Sequence, residues 1–362
     1  MPEKGSSLVA KSASQEDFRK LPIRDDNPSS VDLLGFGDIV SAIEATITRE
    51  DLNPITVGVN APWGGGKTTV LQLLQQALQE RQDVIDVYVS PWEFDRNTDT
   101  KAALIGAVLE QLEETIKGQR SPGDAVFDTL KKLRQRINVT KAVKIAAVSS
   151  LTMSLPSVND LVSVFSDGES GADPTLQGFR DQFAVLLASD SLADITRVAV
   201  LVDDLDRSLP DTVVESLETI KLFLSVEKMA FVIAADEENV ARAVGQRLAS
   251  TGQPVTARQY LEKIVHIPFR IPALSRELTE EYLLLLMLAD GHQMTGIVDR
   301  LSTTRGESKS LPARVGDLVN GSEEVGVRLA ERLAPILHRH TQGNPRRLKR
   351  FLNALWLRTA FG

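Results

Sequence analysis

Apolar residues along this chain fall into two kinds of run. Short β-rich or apolar runs occur at 54–60 ("PITVGVN"), 84–90 ("VIDVYVS"), 198–202 ("VAVLV") and 229–235 ("MAFVIAA"), and "KIVHIPFRI" at 263–271 predicts a fifth strand. The most solid of them, "VAVLV", suits the middle of a parallel sheet covered on both faces. Helical spacing governs the stretches between: 31–47, entered from a loop with two glycines, then 68–80, 101–116, 211–225 and 237–248. From 274 onward the pattern is helical throughout, broken at "STTRGESKSLPARVGD". Strand and helix in alternation, followed by a helical tail, predict a three-layer α/β domain with a C-terminal helical lid.

The gap between the strands ending at 90 and starting at 198 is longer than one crossover helix requires. Residues 101–116 can supply that helix, which leaves about 118–178 as a helical insertion. Within it "AVFDTLKKLRQRI" is amphipathic, and the weakly apolar "KAVKIAAVSSLTMSL" is expected to dock on the body of the protein. The expected organisation is a mobile N-terminal arm at 1–28, a core at 29–273 and a lid at 274–362.

Composition changes this picture little. Hydrophobic residues make up 42% and charged residues 25% of the 362, as in ordinary globular proteins. A net charge of −8 argues against a molecule built as a whole to coat nucleic acid. With no cysteine, disulfides and thiolate metal sites are excluded, and four scattered histidines leave little for zinc. The longest uncharged stretch, 145–159, is too short and too rich in Ser to span a bilayer. A cytoplasmic protein without a membrane segment is expected.

The candidate chemistry begins at "APWGGGKTT", 61–69, which lies between a strand and a strong helix former. That order, strand, glycine loop, helix, is the setting of a phosphate-binding loop. Gly64, Gly65 and Gly66 let the backbone curl so that successive N–H groups point at one anion. Lys67 is placed to reach the β- and γ-phosphates, and the Thr68 hydroxyl to ligate Mg²⁺. Ala61 stands where the usual pattern has glycine, and its methyl is harmless if φ stays negative. Ala61, Pro62, Trp63, Gly64, Gly65, Gly66, Lys67, Thr68 and Thr69 are therefore the expected nucleotide-binding loop.

A second constellation is "VAVLVDDLDR", 198–207, where a buried strand delivers acids at its carboxyl end. Asp203 is the expected Mg²⁺ ligand through water, and Asp204 the residue that orients or deprotonates the attacking water. Asp206 and Arg207 are expected to form a local ion pair. Asp236, at the end of "MAFVIAA", fits a polar group near the γ-phosphate and equally an N-cap for the helix that follows. Trp92 and Glu93 lie beyond the second strand, with Trp92 expected to pack. The last 25 residues carry six Lys or Arg and no acid, and Arg346, just after Gly343-Asn344-Pro345, sits at the mouth of a helix.

Together, "GVNAPWGGGKTTVL", "VSPWEFD", "VLVDDLDR", "FVIAADEENV", "YLEKIVHIPFRIP" and "GNPRRLKRFLN" resemble a KAP-family P-loop NTPase over about 30–360. The resemblance implies an AAA+-like sheet with an extra strand between the loop strand and its neighbour. It also implies Asp203 and Asp204 as the metal and water acids, Asp236 as a γ-phosphate sensor and Arg346 as a lid sensor. "SSVDLLGF" is similar to the segment that packs on adenine, which makes Asp32, Leu34 and Phe36 base neighbours. Many members carry transmembrane helices in the insertion, whereas this one is not apolar enough, so the chain resembles a soluble branch. Bacterial members of that branch occur in anti-phage defence operons. The expected activity is an Mg²⁺-dependent ATPase acting as a conformational switch or scaffold for partner proteins, operon-encoded ones among them, and self-associating. A neighbouring copy's Arg207, Arg242 or Arg270 is then a candidate arginine finger. Two alternatives stay open: a switch that binds ATP without hydrolysing it, and a nucleic-acid loader or motor, which the acidic charge disfavours.

Overall fold

The computed structural model describes residues 24–29, 31–93, 100–119, 124–136, 176–251, 256–288, 294–307, 309–320 and 322–361. Most of the arm expected over 1–28, and the weakly apolar piece of the insertion at 141–155, lie outside the described residues. The chain forms two compact units. Residues 37–63 and 67–271 make an α/β unit; residues up to 36, the three loop glycines 64–66 and residues from 272 make a helical one.

The α/β unit opens with α1 (Gly37–Ile47), β1 (Ile55–Asn60), α2 (Lys67–Gln79) and β2 (Val84–Val89). Helices α3 (Thr100–Gln119), α4 (Asp124–Arg136) and α5 (Leu176–Leu187) follow, then β3 (Arg197–Val202) and α6 (Pro210–Phe223). It closes with β4 (Met229–Ala235), α7 (Glu237–Thr251), α8 (Ala257–Glu262) and β5 (Ile267–Arg270). The five strands form one sheet in the order β2-β3-β4-β1-β5, and every pairing is parallel. β4 therefore lies between the loop strand β1 and the acid-bearing β3, the extra strand that the family resemblance implies.

Side-chain alternation explains why both faces are covered. Val87, Val200 and Phe231 are aligned across β2, β3 and β4, and all three join one apolar cluster with residues of α3, α4, α5, α6 and α7. Their neighbours Leu201 and Val232 point the other way by the period of two and are equally buried, on the face that α1 and α2 cover. This double burial is why β3 and β4 are solid apolar runs in the sequence.

β5 is shorter than the stretch 263–271 predicts. The N–H groups of Ile264 and Val265 donate back to Leu261 O at 2.9 Å, closing the end of α8. The ladder is joined only at His266, whose N–H donates to Thr56 O at 2.9 Å while its Nδ1 accepts from Thr56 N at 3.0 Å. A run of apolar residues does not distinguish a helix's last turn from the start of a strand.

The helical unit contains α9 (Arg276–Met287), α10 (Met294–Thr303), α11 (Leu311–Val315), α12 (Ser322–Thr341) and α13 (Pro345–Phe361). Its apolar core comes mainly from Leu283, Leu284 and Leu286 of α9 with Ala330, Ala334 and Leu337 of α12. A charged cluster is buried beside it. Arg314 donates to Glu281 Oε1 at 2.5 Å, to Glu277 Oε1 at 3.1 Å and to Leu301 O at 2.8 Å, and Arg305 donates to Glu281 Oε2 at 2.9 Å. Removing one member of such a buried cluster leaves an uncompensated charge, which costs about 3 kcal/mol. Arg314→Ala is expected to destabilise the helical unit by that amount, read from chemical denaturation followed by far-UV circular dichroism.

Candidate nucleotide-binding site

β1 ends at Asn60, and its ladder continues into the loop through the Ala61 N–H, which donates to Ala235 O at 3.4 Å. Among the described residues only Asp204, Lys228 and Gln342 combine a side chain with positive φ, so the Ala61 methyl meets its condition. Gly64 and Gly66 do need to be glycine, with φ of +80° and +96°. In the helical unit a Cβ on Gly64 would fall 2.6 Å from Arg346 Cβ, and one on Gly66 would fall 2.6 Å from the Phe36 ring. A side chain at either position would be strained by the positive φ and would collide with Arg346 or with the Phe36 ring.

The α/β unit assembles the charged groups. Lys67 opens α2 and is only 7% exposed. Its Nζ donates to Ala61 O at 3.0 Å and lies 3.3 Å from Asp206 Oδ2. Asp203, 2% exposed, accepts from the Tyr88 hydroxyl at 2.6 Å through Oδ2 and from the Asp204 N–H at 2.8 Å through Oδ1. Burial first, and the nearby Asp203 charge second, push the Tyr88 hydroxyl well above its ordinary range, so it remains a donor.

Asp204 is the strained member, at φ 53° and ψ 22°. Its carboxyl is pushed up by burial and then by Asp203, with Asp206 adding to this and Arg207 and Lys67 opposing it. Arg207 Nη1 donates to Asp204 Oδ2 at 2.9 Å. The local Asp206–Arg207 pair expected from sequence is therefore not formed: Arg207 turns to Asp204, and Asp206 turns inward to Lys67. Thr68 is half-buried and Thr69 buried in the first turn of α2. Asp236 follows β4 directly and caps α7, accepting the Glu238 N–H at 3.1 Å.

The helical unit holds the other expected residues. Asp32 Oδ1 accepts from the N–H groups of Leu34 and Phe36 at 3.1 and 2.9 Å, which folds the 32–36 turn and buries Leu34 and Phe36. Asn344 caps α13 by accepting the Arg347 N–H at 3.1 Å. That cap puts Arg346 in the first turn, where its N–H donates to Gly64 O at 3.4 Å and its Nε to Asp26 at 2.7 Å.

The remaining candidates are dispersed. Trp63 and Trp92 are each 55% exposed, so Trp92 does not pack as expected. Arg242 bonds Asn239, and Arg270 pairs with Glu237 at 3.3 Å while keeping its side chain 76% exposed. Sequence reasoning missed Tyr88, which alternates with apolar strand neighbours and carries no signal of its own. Among the described residues no group of three or more His, Cys, Asp or Glu could form a metal cage. Mg²⁺ does not need one, since it binds through one or two carboxylates together with substrate phosphates.

A parallel sheet with an inserted strand, a glycine loop ending in a buried lysine, and acids at the end of β3 define a P-loop NTPase core. The chain belongs to the KAP family: the model described as KAP family P-loop domain matches residues 37–361. It is also similar to the Phage T7 exclusion protein of Escherichia coli (strain K12), 26% identical over 258 residues. That match covers 67% of this chain and 33% of the relative, so the chain spans about a third of its length. A solved structure titled "Structure of Drosophila ORC bound to DNA" aligns over 98% of this chain and 63% of its own, with TM-score 0.38 and 12% identity, too loose a likeness to bear on function. No helix among the described residues is long and apolar enough to cross a membrane.

Two outcomes follow from this geometry. Gly66→Ala is expected to abolish nucleotide binding while leaving far-UV circular dichroism unchanged, because the added Cβ strains the loop backbone and presses on the buried Phe36 ring without interrupting a helix or strand. Asp204→Asn is expected to raise Tm at neutral pH, since it removes a desolvated carboxylate beside two others and Asn tolerates positive φ; the exposed Arg207 pair lost with it is worth little. The sign follows from the raised native pKa. Below that pKa wild-type Asp204 is protonated and neutral, so the Tm difference is expected to shrink as the pH falls through it.

Proposed function

We propose that this chain is an Mg²⁺-dependent ATPase whose hydrolysis cycle moves the helical unit and changes its contacts with partner proteins. The observation that carries this reading is the buried Lys67 at the head of α2, held by the carbonyl of Ala61 and by an acid from the turn after β3. Ala61, Pro62, Trp63, Gly64, Gly65, Gly66, Lys67, Thr68 and Thr69 would wrap the phosphates. Asp32, Leu34 and Phe36 would border the base. Asp203 and Thr68 would hold Mg²⁺, which supplies charge neutralisation on the transferring phosphoryl group. Asp204 would orient and deprotonate the attacking water, and its raised pKa suits a base. Asp236 would sense the γ-phosphate, its N-cap bond leaving the second carboxylate oxygen for that role. Arg346, beside the backbone of Gly64, would report nucleotide to α13.

Self-association and an arginine finger in trans complete the reading. Of the three candidates, Arg270 has a more exposed side chain than Arg207, 76% against 36%, and Arg242 is exposed as well. A defence role against phage is supported by the relative alone, the Phage T7 exclusion protein. Nucleic-acid binding is the weaker alternative, since the basic start of α13 is partly engaged: Arg346 by Asp26, and Lys349 by the carbonyl of Asn27 at 3.2 Å.

The test is phosphate release from ATP with Mg²⁺ over a range of protein concentrations. Wild type is expected to turn over faster per molecule as concentration rises, with both Lys67→Ala and Asp204→Asn inactive. ATP binding by wild type and Asp204→Asn without any turnover at any concentration would replace the enzyme with a non-hydrolysing switch.

A further inference from the structure

The mechanism above gives Asp206 no role of its own beyond its contact with Lys67. Leu205 is fully buried and anchors the short 3-10 turn Leu205–Arg207. The left-handed conformation of Asp204 redirects the chain just before it. Asp206 thereby points into the protein, its side chain 3% exposed, with Oδ2 at 3.3 Å from Lys67 Nζ. Its second oxygen, Oδ1, is buried with no hydrogen-bond partner. A carboxylate in that setting is desolvated and half satisfied, so the Lys67 ammonium is what holds it there.

We propose that Asp206 is a positioning residue for Lys67, a placeholder for the terminal phosphates when no nucleotide is bound. This rests on Lys67 being the phosphate-binding cation. With the site empty, Asp206 keeps the buried ammonium neutralised and aimed into the loop beside Ala61 O. A triphosphate entering the cradle takes the ammonium over, and Asp206 loses its counter-charge. The pair is thus an internal competitor: it keeps Lys67 in place at the expense of nucleotide affinity. Asp206 differs in this from Asp203, whose two oxygens already accept from Tyr88 and from the Asp204 N–H.

The test is equilibrium titration with a fluorescent ATP analogue in EDTA, so that neither Mg²⁺ nor turnover intervenes. Wild type, Asp206→Asn, Lys67→Ala and the double variant complete a cycle, with Asp206→Ser as a second way to remove the charge. Asp206→Asn is expected to bind about tenfold tighter than wild type, and ATP to raise its Tm by more than it raises that of wild type. In the Lys67→Ala background the same substitution is expected to change affinity by no more than about twofold, the coupling that a cycle isolates. A merely structural Asp206 moves affinity in the opposite direction, because a damaged loop binds less well. Unchanged or weaker binding by whichever neutral variant folds overturns the proposal, and so does a gain that persists undiminished without Lys67. Failure of wild type itself to bind overturns instead the nucleotide reading on which the proposal stands.

Discussion

A buried ammonium has to be neutralised, and at Lys67 that requirement organises the α/β unit. The charge sits at the start of α2, where the helix N-terminus is itself partly positive and offers no help. Neutralisation comes from a main-chain carbonyl six residues back and from Asp206, 139 residues on. For the second partner to arrive, the turn after β3 must end close to the loop after β1. Those strands are not neighbours, since β4 lies between them. The long Lys67 side chain closes the gap, bringing its Nζ to 3.3 Å from Asp206 Oδ2. Strand order, loop and acids are therefore consequences of one electrostatic demand.

Much of this was legible in the sequence because burial on both faces writes itself as solid apolar runs. β3 and β4 could be read almost to the residue, and the glycine loop identified itself by its place between a strand and a helix. β5 could not, because Ile264 and Val265 serve the end of a helix with the same apolar chemistry a strand would use. The turn at Asp32 was visible as a segment, but its carboxylate closes the backbone of the turn, a job that only the fold reveals.

The charged groups were harder to read, for a definite reason. "DDLDR" suggests pairing between sequence neighbours, yet its second residue, the left-handed Asp204, redirects the chain so that Asp206 faces inward. A single positive φ exchanges the partners of Asp206 and Arg207, and nothing in the local composition announces it. The same holds in the helical unit. Glu277 and Glu281 stand four residues apart and share a helix face, which is visible, but Arg305 and Arg314 reach them from beyond α10. Pairs set by tertiary geometry leave no periodic trace.

Two neighbouring aspartates end up in opposite physical states, which is how one short segment could serve two tasks. Asp203 is nearly inaccessible and accepts a hydrogen bond at each oxygen, conditions that fix a carboxylate in place and suit a group meant to hold something else. Asp204 is backbone-strained, and its desolvation and like-charged neighbours raise its pKa. Both features oppose folding, and proteins retain such residues where the surroundings over-determine them. The cation that steadies Asp204 is Arg207, at the surface, where a partner molecule or a change in the turn could draw it away. Asp204 would then be less held and more basic in character, since the Arg207 charge is one of the two that lower its pKa. The asymmetry between the two acids comes from their surroundings, because the side chains are identical.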